Sequence, residues 1–326
     1  MSYIGADFVA DALASLGVEH VFAIVSIHNM PLLDAINRLG KTKIIDVRHE
    51  QAGTHAADGY ARATGKMGVM IASTGPGTSN TVTGLYESQF GSSRVLVITG
   101  QADTTFYGKG LSYVHEAEKQ IQMLSSVCRR VESPRHISQL ADSFQAVVSD
   151  MFTGRPQPGA IEIPIDLQYA NTEKVAIELP SDNIFEADPS VISRVADKIK
   201  EASKRIFVVG GGVISSEATQ ELCELAEQLD APVLTTVDGR GVLPEDHRLC
   251  MGNYYNSAGI YSAIQDADLT IAIGTKFAVG VDGQFHEQTP PGELIQIDID
   301  GNMIGRTHKA AIGGLSDAKS ALNQLK

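Results

Sequence analysis

The amino-acid sequence predicts an α/β protein made of two doubly wound parallel-sheet domains in series. The chain has 326 residues, which is long for one domain and suits two domains of roughly 150 residues each. Apolar runs of strand length alternate with amphipathic helical patterns, as expected for βαβ units. The runs are continuously apolar, which is typical of parallel strands that are covered by helices on both faces.

The first domain is predicted to span residues 1–170. Its opening helix carries an apolar stripe from Phe8 to Leu16 and stops at Gly17. Pro31 opens the next helix and Gly40 closes it, the usual placement of these residue types at helix ends. A later helical face covers residues 137–151. The predicted strands are HVFAIV, KIIDV, VMIAS, RVLVITG and AIEIPI.

Residues 171–189 carry prolines and scattered acids without a sustained period, and we interpret them as an interdomain linker. The second domain, residues 190–326, restarts the alternation. Helices are predicted over 215–229, near 258–266 and from Leu315 to Leu325. The predicted strands are RIFVVGGG, PVLTT, LTIAIG and LIQIDID.

Charge and composition exclude some classes of partner. The net charge is −13, without a basic cluster, which argues against nucleic acid or an anionic membrane. The N-terminus lacks the features of a signal peptide, and no apolar run reaches the roughly 20 residues of a membrane span. We therefore expect a cytoplasmic protein. The three cysteines are far apart and without metal spacing, so we expect reduced thiols and no metal site.

Glu50 is the first candidate functional residue, because it ends a strand pattern and begins an alanine- and glycine-rich helix. One reading is that its charge simply favours the helix dipole. The other is that a ligand at the carboxyl end of the sheet desolvates the carboxylate. Desolvation raises a carboxyl pKa and allows proton sharing with a ring nitrogen.

A Gly75-Pro76-Gly77 turn follows the strand VMIAS at the same edge of the predicted sheet. Neither glycine has a Cβ, so a flat ligand could approach the backbone closely. Asn80 lies close behind, where its side chain could reach that ligand. A plain connection between strand and helix is the alternative.

Glycines and histidines give weaker signals. Gly210, Gly211 and Gly212 follow a strand and resemble a dinucleotide turn, although the third glycine of that motif is missing. Close packing between helix and strand is the other reading of these glycines. His28 and His115 fall where the chain leaves the sheet towards the presumed site, and each could equally be a polar loop residue.

Taken together, these motifs resemble the pyrimidine-binding domain of thiamine-diphosphate enzymes, in the acetolactate synthase branch. The resemblance is carried by Glu50 to Lys66, Ser73 to Leu85, Val95 to Gln101 and Gly154 to Gln168. It continues with VVGGGV, VLPEDHRLCMG, ADLTIAIGTKF and IQIDID, which are similar to the family's Rossmann-like central domain.

The resemblance implies that Glu50 hydrogen-bonds N1′ of the cofactor's aminopyrimidine and so promotes formation of the thiazolium ylide. The activated cofactor then attacks a 2-oxo acid and carbon dioxide leaves. The product of the next step is either a ligated or a merely decarboxylated compound. Gly75, Pro76, Gly77 and Asn80 are expected to contact the cofactor.

Three departures from the branch affect these expectations. A loop reading IVSIH replaces the usual Tyr-Pro-Gly-Gly, so His28 becomes a candidate proton relay, as in lyases and decarboxylases of the wider family. His115 stands where the branch has glutamine. Arg155 matches a flavin-contacting arginine, but residues 274–280 lack the arginine-rich flavin segment. FAD therefore stays a possible cofactor, with Gly211 and Gly212 beside it.

The sequence contains no Gly-Asp-Gly motif with a following asparagine, which in full-length relatives holds Mg²⁺ and the diphosphate. The resemblance therefore implies a fragment or a split subunit that is inactive alone and needs a diphosphate-binding domain or subunit. Because family sites form between two chains, a homodimer or higher homo-oligomer is expected. The alternative is a non-catalytic regulatory module that binds a flavin or a nucleotide.

Overall fold

A computed structural model describes residues 2–180, 185–253, 258–278 and 289–326. The chain forms two compact units, Met1–Ser181 and Asp182–Lys326. Each unit contains a six-stranded sheet in which every described pair of neighbouring strands is parallel. The prediction of an α/β protein with two parallel-sheet domains is therefore confirmed.

The sheet of the first unit has the strand order β2-β1-β3-β4-β6-β5. Its strands are β1 His20–Ala23, β2 Lys43–Asp46, β3 Gly68–Ala72, β4 Val95–Gln101, β5 Arg130–Glu132 and β6 Gly159–Pro164. Its helices are α1 Gly5–Ser15, α2 Met30–Leu39, α3 Glu50–Thr64, α4 Pro76–Gly91, α5 Gln120–Ser125, α6 Leu140–Phe152 and α7 Ile165–Tyr169.

Alternate residues of the central strands face two different cores. Ile71 and Ile98 pack with α1, α2 and α6 on one face, whereas Met70 and Val97 pack with α3 and α4 on the other. Both faces of the sheet are therefore covered, which is why these strands read as continuous apolar runs. Gly40 ends α2 at φ 67°, as its position in the sequence predicts.

The second unit repeats this arrangement with the strand order β12-β11-β10-β7-β8-β9. Its strands are β7 Arg205–Val209, β8 Val233–Thr235, β9 Cys250–Asn253, β10 Leu269–Ile273, β11 Glu293–Asp298 and β12 Ile312–Leu315. Its helices are α8 Pro189–Glu201, α9 Gly211–Ser215, α10 Thr219–Leu229, α11 Ala258–Ile264 and α12 Ala318–Leu325.

Two predicted helices of the second unit differ from the structure. Leu315 belongs to β12, and the final helix begins only at Ala318, where Asp317 caps it. The helix predicted over 215–229 is interrupted, because Glu217 adopts a positive φ of 51° between α9 and α10. Both predictions were wrong at the amino-terminal end of the helix, where a turn breaks the apolar pattern.

The segment between the domains contacts the first unit over part of its length. Asn171 forms an antiparallel bridge with Ile4, and Ile177 is buried in the core that contains α1. Residues 181–184 of the predicted linker lie outside the described residues, as do residues 279–280 of the segment compared with the flavin motif.

Candidate active site

The candidate site lies where the strand order of the first sheet reverses. β1 lies between β2 and β3. The chain passes from β1 to β2 on one side and then crosses to β3 on the other side of β1. Open parallel sheets bind ligands at the carboxyl ends of strands beside such a switch point. His28 follows β1, Glu50 follows β2 and Gly75 follows β3. The fold therefore places all three at one edge of the sheet.

Glu50 is the first residue of α3, and its half-buried carboxylate faces the start of α4. The Asn80 side chain donates a hydrogen bond to Oε2 at 2.9 Å. On the other side, a Cβ added at Gly77 would lie 3.2 Å from Oε1. Asn80 is the hydrogen-bond partner of this carboxylate among the described residues, and it contacts Oε2. Oε1 can therefore accept a hydrogen bond from a ligand.

The turn at Gly75 adopts a conformation that suits only glycine. Its φ is 59° and its ψ is −111°, and an added Cβ would lie 2.6 Å from the His115 carbonyl oxygen. The Gly75 N–H donates to Oε1 of Gln120 at 2.8 Å. Pro76 opens α4, where its missing N–H leaves no helical hydrogen bond unmade.

His28 is 1% exposed, and its two ring nitrogens differ in their hydrogen-bond contacts. Nδ1 lies 3.4 Å from the Ser73 hydroxyl, whereas Nε2 is buried and has no hydrogen-bond partner among the described residues. Burial lowers the pKa of His28, and the nearby His115 lowers it further, against a smaller opposite contribution from the Val114 backbone. The imidazole is therefore neutral near pH 7, with one nitrogen available.

His115 lies beside His28 at the exposed end of the site. The two ring centroids are 6.0 Å apart, with 32° between the ring planes. His115 adopts a φ of 59°, which is uncommon for a residue with a side chain. Its carbonyl oxygen accepts a hydrogen bond from the Thr74 hydroxyl at 3.4 Å. The structure therefore holds the His115 loop against the Gly75 turn.

A buried polar group beneath this turn was not among the predicted site residues. Gln101 and Gln120 both donate to Glu162, which is fully buried in β6. A signal was present in the sequence, because Glu162 interrupts the apolar run AIEIPI and Gln101 ends another apolar run. Charged residues are almost never fully buried unless they are paired.

Two family models match the chain, one in each unit. The thiamine pyrophosphate enzyme N-terminal TPP binding domain matches residues 4–125. The thiamine pyrophosphate enzyme central domain matches residues 192–325. The chain belongs to the thiamine pyrophosphate enzyme family. The resemblance drawn from Glu50 and the Gly75 turn is thereby confirmed.

Several curated relatives of this chain are named acetolactate synthase. The probable acetolactate synthase large subunit of Methanocaldococcus jannaschii is 33% identical over 330 residues, which cover 98% of this chain and 55% of the relative. The Mycobacterium avium acetolactate synthase is 35% identical over 327 residues, with coverages of 98% and 52%. The large subunit from Corynebacterium glutamicum is 33% identical over 328 residues, again with 98% and 52%. The chain spans about half the length of the curated relatives it matches.

The residues at the switch point fit the aminopyrimidine end of the family's cofactor. That end is a flat ring with nitrogens that need hydrogen-bond partners. The site offers the Oε1 atom of Glu50, a turn without side chains at Gly75 and Gly77, and Nε2 of His28, which has no hydrogen-bond partner among the residues that the structure describes. In the described part of the chain, no helix is both long and apolar enough to cross a membrane.

The structure does not bring Arg155 to this site of the thiamine pyrophosphate enzyme chain. Arg155 precedes β6, at the amino-terminal edge of the first sheet, and its Nε donates to the Ser92 hydroxyl at 2.8 Å. Glu50 lies at the opposite, carboxyl-terminal edge. Flavin binding by Arg155 stays a prediction.

The glycines after β7 pack against the backbone at the end of β10. A Cβ at Gly210 would lie 2.3 Å from the Gly274 carbonyl oxygen, and a Cβ at Gly212 would lie 2.6 Å from the Gly274 Cα. A Cβ added at Gly211 would lie 3.2 Å from the Cβ of Asp238. The packing reading accounts for Gly210 and Gly212, and nucleotide binding at Gly211 and Gly212 stays a prediction.

Three metal-capable side chains meet in the second unit, although their spacing in the sequence gives no sign of it. His247 Nε2 lies 3.8 Å from Cys223 Sγ and 3.2 Å from Glu227 Oε1. The Leu249 N–H donates to Nδ1 of His247 at 3.2 Å. In the neutral ring the proton is therefore on Nε2, where a metal would have to bind. In that tautomer Nε2 donates to Oε1 of Glu227.

Proposed function

We propose that this chain takes part in the thiamine-diphosphate-dependent decarboxylation or carboligation of 2-oxo acids, as a component of an acetolactate-synthase-like enzyme. One observation carries the proposal. The Glu50 carboxylate is held by Asn80 through one oxygen, and its other oxygen faces Gly77, where the missing Cβ leaves room. That arrangement suits a ring nitrogen that must share a proton with a carboxyl group.

The chain's own residues bind and orient the ring and move protons. When bound, thiamine diphosphate supplies a thiazolium carbon that adds to the carbonyl of a 2-oxo acid and accepts the electrons released with carbon dioxide. Glu50 holds at Oε1 the proton that it shares with the pyrimidine, and Asn80 fixes the plane of the carboxylate. Gly75 and Gly77 allow the flat ring to approach the backbone.

His28 is the group we assign to proton transfer with the substrate. It is neutral near pH 7 because burial lowers its pKa, and its Nε2 has no partner among the described residues. A neutral imidazole can accept a proton in one step and return it in the next. His115 lies 6.0 Å away, centroid to centroid, and is exposed. It can pass that proton to solvent.

We further propose that Mg²⁺ and the diphosphate are bound by a further diphosphate-binding domain or subunit, and that a second copy of this chain completes the assembly. The support is chemical. Mg²⁺ requires hard oxygen ligands. In the described residues, the one group of three metal-capable side chains within reach of each other is Cys223, Glu227 and His247, which includes a thiol and an imidazole.

Replacement of Glu50 by glutamine tests the proposal. The complete enzyme, recovered from its own cells with every chain that co-purifies, is supplied with thiamine diphosphate and Mg²⁺. We expect Glu50→Gln to slow both 2-oxo acid consumption and deuterium exchange at the cofactor's C2 by about 100-fold or more, since it removes a general acid–base group. Glu178→Gln, at an exposed position, is the matched control and should leave both rates unchanged.

Two results would contradict the proposal at different levels. If Glu50→Gln exchanged the C2 proton at the control rate, the role of Glu50 would be wrong. If the complete enzyme bound the cofactor but consumed no 2-oxo acid, the reaction would be wrong. Native mass spectrometry of the same preparation identifies the co-purifying chains, their copy number and any bound flavin.

A further inference from the structure

A carboxylate is buried beneath the Gly75 turn, in the middle of an apolar strand. Glu162 has no exposed surface, although both neighbours along β6 point into the apolar core. Its Oε2 accepts from Nε2 of Gln101 at 2.9 Å and from Nε2 of Gln120 at 2.7 Å. Its Oε1 accepts from the Ser133 hydroxyl at 2.8 Å and from Arg135 at 3.5 Å. The burial of this charge is thus compensated by four donors.

These contacts determine which way the Gln120 side-chain amide points. Its NH₂ group donates to Glu162 and to the Gly100 carbonyl, the latter at 3.1 Å. The amide oxygen must therefore face the opposite side, where it accepts from the Gly75 N–H at 2.8 Å and from the Thr74 hydroxyl at 3.2 Å. A flipped amide would place donor against donor at Gly75.

The orientation of Gln120 is transmitted to the proposed cofactor site through the turn. Gly75 is the N-cap residue of α4, and two residues later Gly77 lies against Oε1 of Glu50. The Thr74 hydroxyl has a single proton, and it lies 3.2 Å from the Gln120 oxygen and 3.4 Å from the His115 carbonyl oxygen. The Gln120 amide therefore holds the turn that faces Glu50, and Thr74 connects this turn to the loop that carries His115.

We propose that Glu162 is a positioning residue, which acts as the acceptor that orients Gln120 and so fixes the Gly75 turn for the cofactor. This inference rests on the proposed function, because it assumes that the turn faces the aminopyrimidine. Glu162 touches neither Glu50 nor His28 among its described contacts. Its influence passes through the Gln120 amide.

Two substitutions at position 162 separate a positioning role from a purely structural one. Glu162→Met keeps the length of the side chain and removes both acceptor oxygens. We expect amide hydrogen exchange at Gly75, measured by NMR on this chain, to become about tenfold faster or more, as for loss of one internal hydrogen bond. Exchange at Val97, in the middle of β4, should stay within about threefold of wild type.

Glu162→Gln provides the rescue. Its amide oxygen can still accept from both glutamines, while its NH₂ group donates to the Ser133 hydroxyl. We expect Gly75 exchange within about threefold of wild type. In the complete enzyme, Glu162→Met should lower kcat by about tenfold or more with KM for the 2-oxo acid nearly unchanged, and Glu162→Gln should restore most of the rate.

Gln120→Met provides an independent test should Glu162→Met not fold, since it removes the amide that contacts Gly75. Unchanged Gly75 exchange in either methionine variant would overturn the inference, and so would equal losses in Glu162→Gln and Glu162→Met. If exchange responds as expected while the complete enzyme shows no thiamine dependence, the positioning role stands and the proposed function fails.

Discussion

Substitution of Gly77 by alanine tests whether the absence of a side chain at this position serves the site. The new Cβ would lie 2.9 Å from Cβ of Ser73 and 3.2 Å from Oε1 of Glu50. Carbon atoms in contact prefer separations of about 3.5–4.0 Å. Ser73 and the Glu50 carboxylate must therefore both move, and the space in front of Oε1 becomes smaller.

Two opposing effects determine the change in stability. Alanine in a helix is favoured over glycine by about 0.5–1 kcal/mol, whereas overpacking a tight contact costs about 1–3 kcal/mol. We therefore expect Gly77→Ala to lower the free energy of unfolding by about 0–2.5 kcal/mol. The effect on catalysis is larger. A displaced Glu50 carboxylate should reduce kcat/KM for the 2-oxo acid by about 10- to 100-fold.

Gly59→Ala is the matched control, because it is the same substitution in the neighbouring helix α3. An added Cβ at Gly59 meets no atom within 4 Å. We expect this variant to gain about 0.5–1 kcal/mol, which corresponds to a rise in Tm of about 1–4 °C, with full activity. Thermal unfolding of the chain and initial rates of the complete enzyme measure the two effects.

If Gly77→Ala kept the kcat/KM and the cofactor affinity of the Gly59→Ala variant, the prediction would be wrong, and the missing side chain would serve only the packing of α4. A parallel loss of stability and activity, with kcat/KM restored at lower temperature, would also place the effect in folding rather than in the site.

Two further predictions concern pH and the second unit. The pKa of His28 is lower in the folded chain than the value of about 6.5 in the unfolded chain. At pH values between the folded and the unfolded pKa, the unfolded state therefore binds more protons than the folded state. The free energy of unfolding should therefore fall as the pH drops below about 6.5. The urea midpoint of unfolding should change less between pH 7.5 and pH 5.5 in His28→Gln than in the wild type. An equal change in both proteins would contradict this prediction. In the second unit, Gly212→Ala should lose about 1–3 kcal/mol, because its Cβ would meet the Gly274 backbone at 2.6 Å. Gly211→Ala should lose less in the same urea titration, since its nearest contact is 3.2 Å, to the Asp238 side chain, and equal losses would argue against the packing reading.

Local sequence patterns predicted the central strands of both sheets but missed β5, β9 and β12. Each of these three strands is an edge strand, because it lies at one end of the strand order of its sheet. Edge strands have one unpaired side and mixed burial, as in the alternating buried and exposed residues of Ile312–Leu315. β5, β9 and β12 lack the continuous apolar run that identifies a strand covered on both faces, whereas the remaining edge strand, β2, lies in the run KIIDV and was predicted.

The candidate site was predictable to the extent that its residues follow strands. Glu50, His28 and Gly75 each come two or three residues after an apolar run, and the carboxyl ends of parallel strands meet at one edge of a sheet. Arg155 was selected by a motif instead, and it lies at the other edge. A short motif does not carry information about which end of the sheet a loop occupies.

The sequence by itself determined the fold class, the family and the carboxylate and turn of the proposed cofactor site, because these depend on local patterns and on motifs of neighbouring residues. Only the tertiary structure decided that Gln120 connects Glu162 to Gly75, and that Nε2 of His28, beside His115, has no hydrogen-bond partner among the described residues. These contacts join residues that are far apart in the chain. The orientation of a buried amide depends on every donor and acceptor around it, and those neighbours are assembled only when the sheet forms.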